Sequence, residues 1–267
     1  MLKTEAEIKS KFIIEKKLMK KNLLNHFVFD LLKSIEKNLS IYIKNKTPEC
    51  LHILRVDIKK INAVLSFAER VYNEEYNTSN LKPLFRKAGK IREIQINIHL
   101  LELFPLPPKN LIEQLKNKEN ILTMEFIKSG SRYKRHLKNF RKIIYLPEKL
   151  PNKLIINKYF KREKNKANKK LKKQERVDLH KYRAKIKKLM YLFYAFPKSI
   201  QKDIEFNELE TNRRQEKLGD WHDTYSSINF LSHEHFIENT NEYLLKLKEK
   251  EKSQFNALLI NLSNDTL

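Results

Sequence analysis

Apolar residues recur every three or four positions along almost the whole chain, which is the period of an amphipathic helix. Leu, Ile, Lys and Glu are abundant, and they are compatible with helices, whereas only three glycines occur. Prolines fall between the periodic segments, where they do not break a helix. The eight prolines are Pro48, Pro83, Pro105, Pro107, Pro108, Pro147, Pro151 and Pro197. The pattern predicts an all-α protein with roughly eight helical segments.

One helix start can be placed from the sequence. Thr47-Pro48-Glu49 combines a residue type that caps helices, a proline suited to the first helical position, and an acid near the positive end of the helix dipole. We therefore expect a helix to begin at this point, with Thr47 as its N-cap.

The sequence of this helix is repeated later in the chain. LHILRVDIKK begins at Leu51 and LHKYRAKIKK at Leu179, so the two copies share L-H-x-x-R-x-x-I-K-K at a displacement of 128 residues. A second shared pattern, K-x-G-x-x-x-[ED], follows as KAGKIRE from Lys87 and KLGDWHD from Lys217, at a displacement of 130. Internal repeats of this kind indicate duplicated groups of secondary-structure elements. We predict two similar halves, each of about four helices.

The repeated helix combines a narrow polar stripe with apolar residues around most of its circumference, so we expect it to be largely buried. The stripe residues are His52, Arg55 and Lys59 in the first copy and His180, Arg183 and Lys187 in the second. Because burying groups of like charge is costly, these side chains must face carboxylates, water or a bound anion. The nearby acids Glu93 and Asp223, one per half, are too few to neutralise both stripes.

The charge of the chain points to a polyanionic partner. The sequence holds 56 Lys and Arg against 32 Asp and Glu, a formal net charge of +24. Residues 158–188 contribute +12 of this charge and residues 128–142 contribute +7. Such local concentrations exceed what solvated helix faces need, and they favour binding of a polyanion.

Several other classes of protein are excluded by composition. The glycines are too few and too far apart for a glycine-rich phosphate-binding loop. A single cysteine, Cys50, excludes an intrachain disulfide and a multi-cysteine zinc site, and it suits a reducing compartment. No signal peptide is recognisable at Met1, and the longest apolar stretch is too short to span a membrane. We expect a soluble cytoplasmic protein without membrane association.

The duplicated H-x-x-R-x-x-x-K-K helix, each copy followed by a G-x-x-[RH]-[DE] segment, resembles the CHAD domain, the conserved histidine α-helical domain. The resemblance covers the chain from about Glu5 to Leu262. It implies a single domain of two four-helix bundles related by pseudo-two-fold symmetry, residues 1–146 and 147–267. It also implies a non-catalytic protein that needs no cofactor or metal and binds inorganic polyphosphate along a basic track between the halves.

The resemblance also implies which residues bind polyphosphate. It matches the stripe residues, Lys60 and Lys188, and it adds the lysines that precede the two repeated glycines and a G-x-[RK]-Y-x-[RK] stretch. The resulting candidates are His52, Arg55, Lys59, Lys60, Lys87, Arg132, Lys134, Arg135, His180, Arg183, Lys187, Lys188 and Lys217. The family's R-D-x-D segment corresponds to Arg92-Glu93-Ile94-Gln95 and, with histidine replacing arginine, to His222-Asp223-Thr224-Tyr225, and the second acid is absent in both.

Polyphosphate is also a suitable ligand on physical grounds. It is a flexible line of phosphates with about one charge per unit, so arginine forks and lysine point charges in a row can bind it without reading any base. We expect the protein to work in the cytoplasm or on polyphosphate granules, where granule-associated proteins are conceivable partners.

Two other functions compete with this interpretation. A helical protein that binds RNA or single-stranded DNA would need the same positive charge, and Tyr191 and Tyr194 lie close enough to the stripe to stack on bases. Non-specific binding of nucleic acid is compatible with either function. An enzyme acting on phosphates would need clustered carboxylates or an activated nucleophile. His233-Glu234-His235 is a poor metal motif because histidines two positions apart do not share a helix face.

Overall fold

The computed structural model describes residues 22–233 and 241–263. Within those residues the chain forms ten α-helices, a short 3-10 helix and no β-strand. The α-helices are α1 Leu23–Asn45, α2 Pro48–Tyr72, α3 Lys82–Glu102, α4 Lys109–Lys128, α5 Gly130–Ile143, α6 Lys153–Leu171, α7 Arg176–Ala195, α8 Lys198–Gln201, α9 Glu208–His233 and α10 Asn241–Ser263. The prediction of an all-α protein is confirmed.

No proline lies between α4 and α5, so the proline pattern did not predict this helix boundary. The two helices are separated at Ser129, and the buried Gly130 begins α5. A Cβ at this glycine would lie 2.6 Å from Cδ1 of Ile43, so its absence allows α5 to pack closely on α1. Between residues 22 and 146, the described part of the first half, there are therefore five α-helices where about four were expected. The second half holds the four-residue α8 in addition to its long helices.

The start of α2 matches the sequence prediction, but its cap does not. The helix begins at Pro48 with Glu49 in its first turn. Thr47 occupies the N-cap position in an extended conformation, and its side chain makes no capping hydrogen bond. Only its backbone carbonyl oxygen takes part, accepting a hydrogen bond from the N–H of Cys50 at 3.1 Å.

The helices of the two halves pack in the same order. In the first half α2 packs against α1 and α3, and α3 packs against α4. In the second half α7 packs against α6 and α9, and α9 packs against α10. The repeated helices α2 and α7 also pack against each other and form the centre of the molecule. This order is the one expected if the halves arose from one duplicated unit.

Residues at corresponding positions of the repeat also meet between the halves. The hydroxyl of Ser227 on α9 donates a hydrogen bond to the side-chain oxygen of Asn97 on α3, and the two residues are 130 positions apart. Both side chains are buried. Contacts between equivalent residues are expected near a two-fold axis, because each half then presents the same surface to the other.

The largest hydrophobic core is built from both halves. Phe67 of α2 makes edge-to-face contacts with Tyr159 of α6 and with Phe196, directly after α7, at ring-centroid distances of 4.9 and 5.5 Å. A second cluster joins α3 and α4 to α9 and α10. The halves therefore bury their apolar surface together. Among the described residues, no helix is both long and apolar enough to cross a bilayer.

Candidate functional site

The packing of α2 against α7 brings together four basic side chains, which we call the cation cluster: Arg55, Lys59, Arg183 and Lys187. Loss of solvation lowers the pKa of Lys59 to about 8, and the charges of Arg55, Lys187 and Arg183 add to this effect. The pKa of Lys187 is likewise lowered to about 8, first by loss of solvation and then by Arg183. The two polar stripes therefore form one site, in which the charges of each half lower pKa values in the other half.

The arginine of the first half is held by α3. Nη1 of Arg55 donates a hydrogen bond to the backbone oxygen of Phe85 at 2.7 Å. The guanidinium carbon also lies 4.3 Å from the centroid of the Phe85 ring. A Cβ at Gly89 would lie 2.3 Å from Nη1. The repeated glycine of the first half therefore leaves room for the arginine of the cluster.

The second half repeats this pairing more loosely. A Cβ at Gly219 would lie 3.5 Å from Nη2 of Arg183, which is an ordinary contact distance. Within the part of the chain that the structure describes, the Arg183 side chain makes no hydrogen bond or ion pair, and its Nε is buried without a partner. The repeat identified both glycines but predicted no role for them. The signal was available, because each glycine follows its arginine by a nearly constant spacing of 34 or 36 positions.

The two acids predicted near the stripes lie near the cluster but do not neutralise it. Burial tends to raise the pKa of Asp223, yet His222, Arg183 and Lys187 together lower it below its usual value. The charge of Glu93 partly offsets the loss of solvation that lowers the pKa of Arg55. In the described ranges no carboxylate lies within 4.0 Å of the amines of Lys59 or Lys187. The cluster therefore keeps an excess of positive charge.

Both repeated histidines lie at the edge of the cation cluster. Loss of solvation lowers the pKa of His52, and Arg92, Lys187 and Lys59 lower it further. Loss of solvation also lowers the pKa of His180, followed by the effects of His222 and Arg183.

A neighbour of each histidine was missed as a site residue. The imidazole of His180 stacks on that of His222 with a centroid distance of 4.7 Å and an interplanar angle of 20°. In the first half the corresponding neighbour of His52 is Arg92. The repeat displacement of 130 residues relates Arg92 to His222, so the second shared pattern already contained this signal.

The resemblance implies that Lys60 and Lys188 bind phosphate together with the stripe residues. In the structure both side chains make other contacts, outside the cation cluster. Lys60 forms an ion pair of 3.2 Å with the buried Asp57, which also accepts a hydrogen bond from the hydroxyl of Ser34 at 2.7 Å. Lys188 lines a groove between α2, the loop after it and α6, together with Glu163. The reason is geometric, because one further position rotates a side chain by about 100° around the helix.

The lysines before the repeated glycines are not part of the cation cluster. Lys87 is paired with Glu125 of α4, and this contact lowers the pKa of the glutamate. Lys217 is exposed on α9. Neither lysine is among the charges that shift the pKa of Lys59 or Lys187.

The basic stretch of α5 forms a separate surface. Arg132, Lys134 and Arg135 are all exposed, and α5 packs mainly on α1 and the 3-10 helix. Arg132 donates to the hydroxyl of Ser129 at 3.3 Å, and Lys134 lines a groove with Glu36 of α1. In the described residues, no hydrogen bond or ion pair connects these three side chains to α2 or α7. We call this region the α5 surface.

The aromatic side chains beside the stripe are engaged within the fold. Tyr194 donates a hydrogen bond to Oε1 of Glu208 at 2.7 Å, and Tyr191 packs partly buried against the main core. Phe193 and Phe196 are buried. Among the residues that the structure describes, no three metal-ligating side chains cluster. In the weak metal motif His233-Glu234-His235, the last two residues lie outside the described residues.

The chain is similar to the crystal structure of the CHAD domain from the plant Ricinus communis, with a TM-score of 0.64, 12% sequence identity and 92% of each chain covered. No curated protein sequence matches the chain. The family model described as the CHAD domain matches residues 28–232. Since this match spans most of the sequence, the chain belongs to the CHAD domain family.

Proposed function

We propose that this protein binds inorganic polyphosphate through the cation cluster and catalyses no reaction on it. The observation that carries the proposal is the meeting of Arg55, Lys59, Arg183 and Lys187 from both halves. In the described part of the chain, neither lysine has an ion-pair partner. A site of this composition is adapted to a ligand that brings negative charge with it.

The chemistry of the cluster suits a linear phosphate polymer. Arginine offers two parallel donors to a pair of phosphate oxygens, whereas lysine offers a compact charge on a flexible stem. Polyphosphate carries about one negative charge per unit and no base or sugar, so charges arranged in a row are sufficient to hold it. The aromatic side chains near the stripe are engaged in the fold, which speaks against a surface for stacking nucleic-acid bases.

Repulsion among the cations of the cluster in the free protein contributes to the free energy of polyphosphate binding. Each lysine of the cluster is depressed to a pKa of about 8 by loss of solvation and by its cationic neighbours. A phosphate chain reverses the sign of the local potential and relieves this repulsion. Bringing the cations together therefore costs stability in the free protein and favours the bound state.

Competition binding tests the proposal directly. Long-chain polyphosphate, tRNA and single-stranded DNA are compared at equal phosphate concentration and physiological salt. We expect polyphosphate to displace both nucleic acids, because a narrow row of cations accepts a bare phosphate chain more closely than one carrying sugars and bases. Equal or tighter binding of tRNA would favour the alternative function, a helical nucleic-acid-binding protein.

We further propose that the protein acts in the cytoplasm, on polyphosphate and its granules, where other granule proteins would be its partners. The buried, free Cys50 is compatible with a reducing compartment. Localisation of a fluorescent fusion, with and without polyphosphate synthesis in the host cell, tests this proposal. We expect granule foci only when polyphosphate is made.

A further inference from the structure

The two halves of the site differ at one repeated position. Arg92 lies beside His52 in the first half, and His222 lies against His180 in the second. The first position carries a permanent positive charge, because the guanidinium of arginine does not lose its proton in proteins. The second carries a charge only when an imidazole is protonated. At this position the first half of the site therefore carries a permanent charge, and the second half carries an imidazole.

The geometry of the histidine pair limits its charge in the free protein. The two rings are nearly parallel at a centroid distance of 4.7 Å, so two imidazolium ions would repel each other face to face. Nearby cations oppose a second proton as well. They are Lys59 on α2, with Lys181 and Arg183 on α7.

Asp223 provides the opposing charge on α9. Its Oδ1 lies 3.4 Å from Nδ1 of His222, and the hydroxyl of Ser226 lies 3.5 Å from the same ring. This one carboxylate also faces Arg183 and Lys187, whose charges help to lower its pKa. It can therefore support one proton on the pair more readily than two. A bound phosphate chain would supply the missing negative charge.

Resting on the function proposed above, we propose that His222 is a further phosphate-binding residue and that it and His180 together take up a proton from solvent when a phosphate chain binds. Protonation turns both ring nitrogens into hydrogen-bond donors, so the second half then presents donors where Arg92 presents them permanently in the first. Affinity for the phosphate chain rises as pH falls through the range in which imidazoles take up protons. The second half thereby has a proton-dependent donor at a position where the first half has a permanent one.

Calorimetry measures this proton directly. Titration with long-chain polyphosphate at pH 6.5, in buffers of different ionisation enthalpy, gives the number of protons taken up per bound site. At this pH the cluster lysines, with pKa values of about 8, are already protonated and contribute little. We expect a net uptake in the wild type that approaches about one proton per second-half site.

Two reciprocal variants locate the proton. His222→Arg copies the first half into the second, and we expect it to reduce proton uptake to less than half of the wild-type value while binding at pH 8 stays at least as tight. Arg92→His copies the second half into the first, and we expect greater uptake at pH 6.5 and weaker binding at pH 8. Wild-type uptake in His222→Arg would overturn the proposal.

A ligand-free measurement separates this proposal from the proposed function. Nuclear magnetic resonance titration of His180 in the wild type and in His222→Gln reports whether the rings are coupled. We expect the pKa of His180 to rise in the variant, because a neighbouring imidazole that competes for the proton is lost. An unchanged titration would overturn the proposal. Polyphosphate binding without proton uptake by the wild type would also overturn it and leave the function intact, whereas no binding at any pH would refute the function itself.

Discussion

At the scale of single residues, the site depends on two glycines, whose lack of a side chain leaves space beside the arginines of the cation cluster. Gly89 and Gly219 both face an arginine of the cation cluster, but only the first is tight, with a Cβ position 2.3 Å from Nη1 of Arg55. Neither glycine has a positive φ, so backbone freedom does not explain them. The space that a guanidinium needs explains them instead.

This difference predicts opposite outcomes for one substitution. Alanine within a helix is favoured over glycine by about 1 kcal/mol, so Gly219→Ala should stabilise the protein by up to that amount without disturbing Arg183. Gly89→Ala gains the same propensity but displaces Arg55 from the backbone oxygen of Phe85, a hydrogen bond worth about 1 kcal/mol. We expect little net change in stability and several-fold weaker polyphosphate binding. Urea denaturation and a binding titration check both, and equal affinity of the two variants would contradict this account.

The two depressed lysines predict how stability depends on pH. Both have a pKa of about 8 in the folded protein, below the ordinary lysine value of 10.5. Between these values the unfolded chain binds more protons than the folded one, so the free energy of unfolding should rise with pH from about 8 to 10.5. Replacing Lys59 and Lys187 by methionine should raise stability at pH 7 and flatten this rise.

Urea denaturation at pH 7, 8 and 9 provides the measurement. Lys134→Met removes one positive charge from the exposed α5 surface and is the matched control for each single variant, Lys59→Met and Lys187→Met. If the control changes the pH profile as much as a single cluster variant does, general charge repulsion rather than the cluster is responsible.

At the scale of helices, periodicity predicted the helical class, and Thr47-Pro48-Glu49 predicted the start of α2, because both signals depend on local sequence. The separation of α4 from α5 was missed, since it depends on Gly130 fitting against Ile43 of a distant helix. Lys60 and Lys188 were misplaced for a related reason. A motif reports which residues are repeated, whereas the facing helix decides which of them share a site.

The placement of the basic helices predicts unequal effects of charge reversal. Arg55→Glu on α2 and Arg183→Glu on α7 each put a carboxylate among the cations that bind the chain. Each should weaken binding of long polyphosphate by more than about 2 kcal/mol, well beyond the loss of one exposed ion pair. Lys134→Glu makes the same change of charge on the α5 surface and should cost less than about 1 kcal/mol.

Binding titrations at physiological salt give these differences, and circular dichroism verifies that each variant remains helical. If long chains bind equally well after reversal in either half, the two stripes act separately or one of them is only structural. A large effect of Lys134→Glu would instead extend the site to the α5 surface.

At the scale of the whole molecule, two similar sequences form one structure with a shared interior. The repeat predicts two halves, and the described helices of residues 22–146 and 147–263 pack in the same order. The sharing of the core was not visible in the repeat, because aromatic residues such as Phe67 and Phe196 are positioned by contacts between the halves. The shared core places α2 and α7 side by side and thereby creates the cation cluster.

The shared core predicts that the two halves unfold together. Phe67 of the first half is buried against Tyr159 and Phe196 of the second half, so Phe67→Ala should cost about 3 to 5 kcal/mol. Trp221 is the one tryptophan of the sequence, and it lies in a separate cluster built from second-half helices. Its fluorescence therefore reports on the other half of the chain, whereas far-ultraviolet circular dichroism reports all helices. We expect both signals to shift to the same lower urea midpoint in Phe67→Ala. Ile143→Ala, at a side chain that is 57% exposed, is the control and should change stability by less than about 0.5 kcal/mol. An unshifted Trp221 transition beside a lowered helical one would show instead that the halves are independent folding units, and the cluster would then be an interface between two domains rather than a product of one fold.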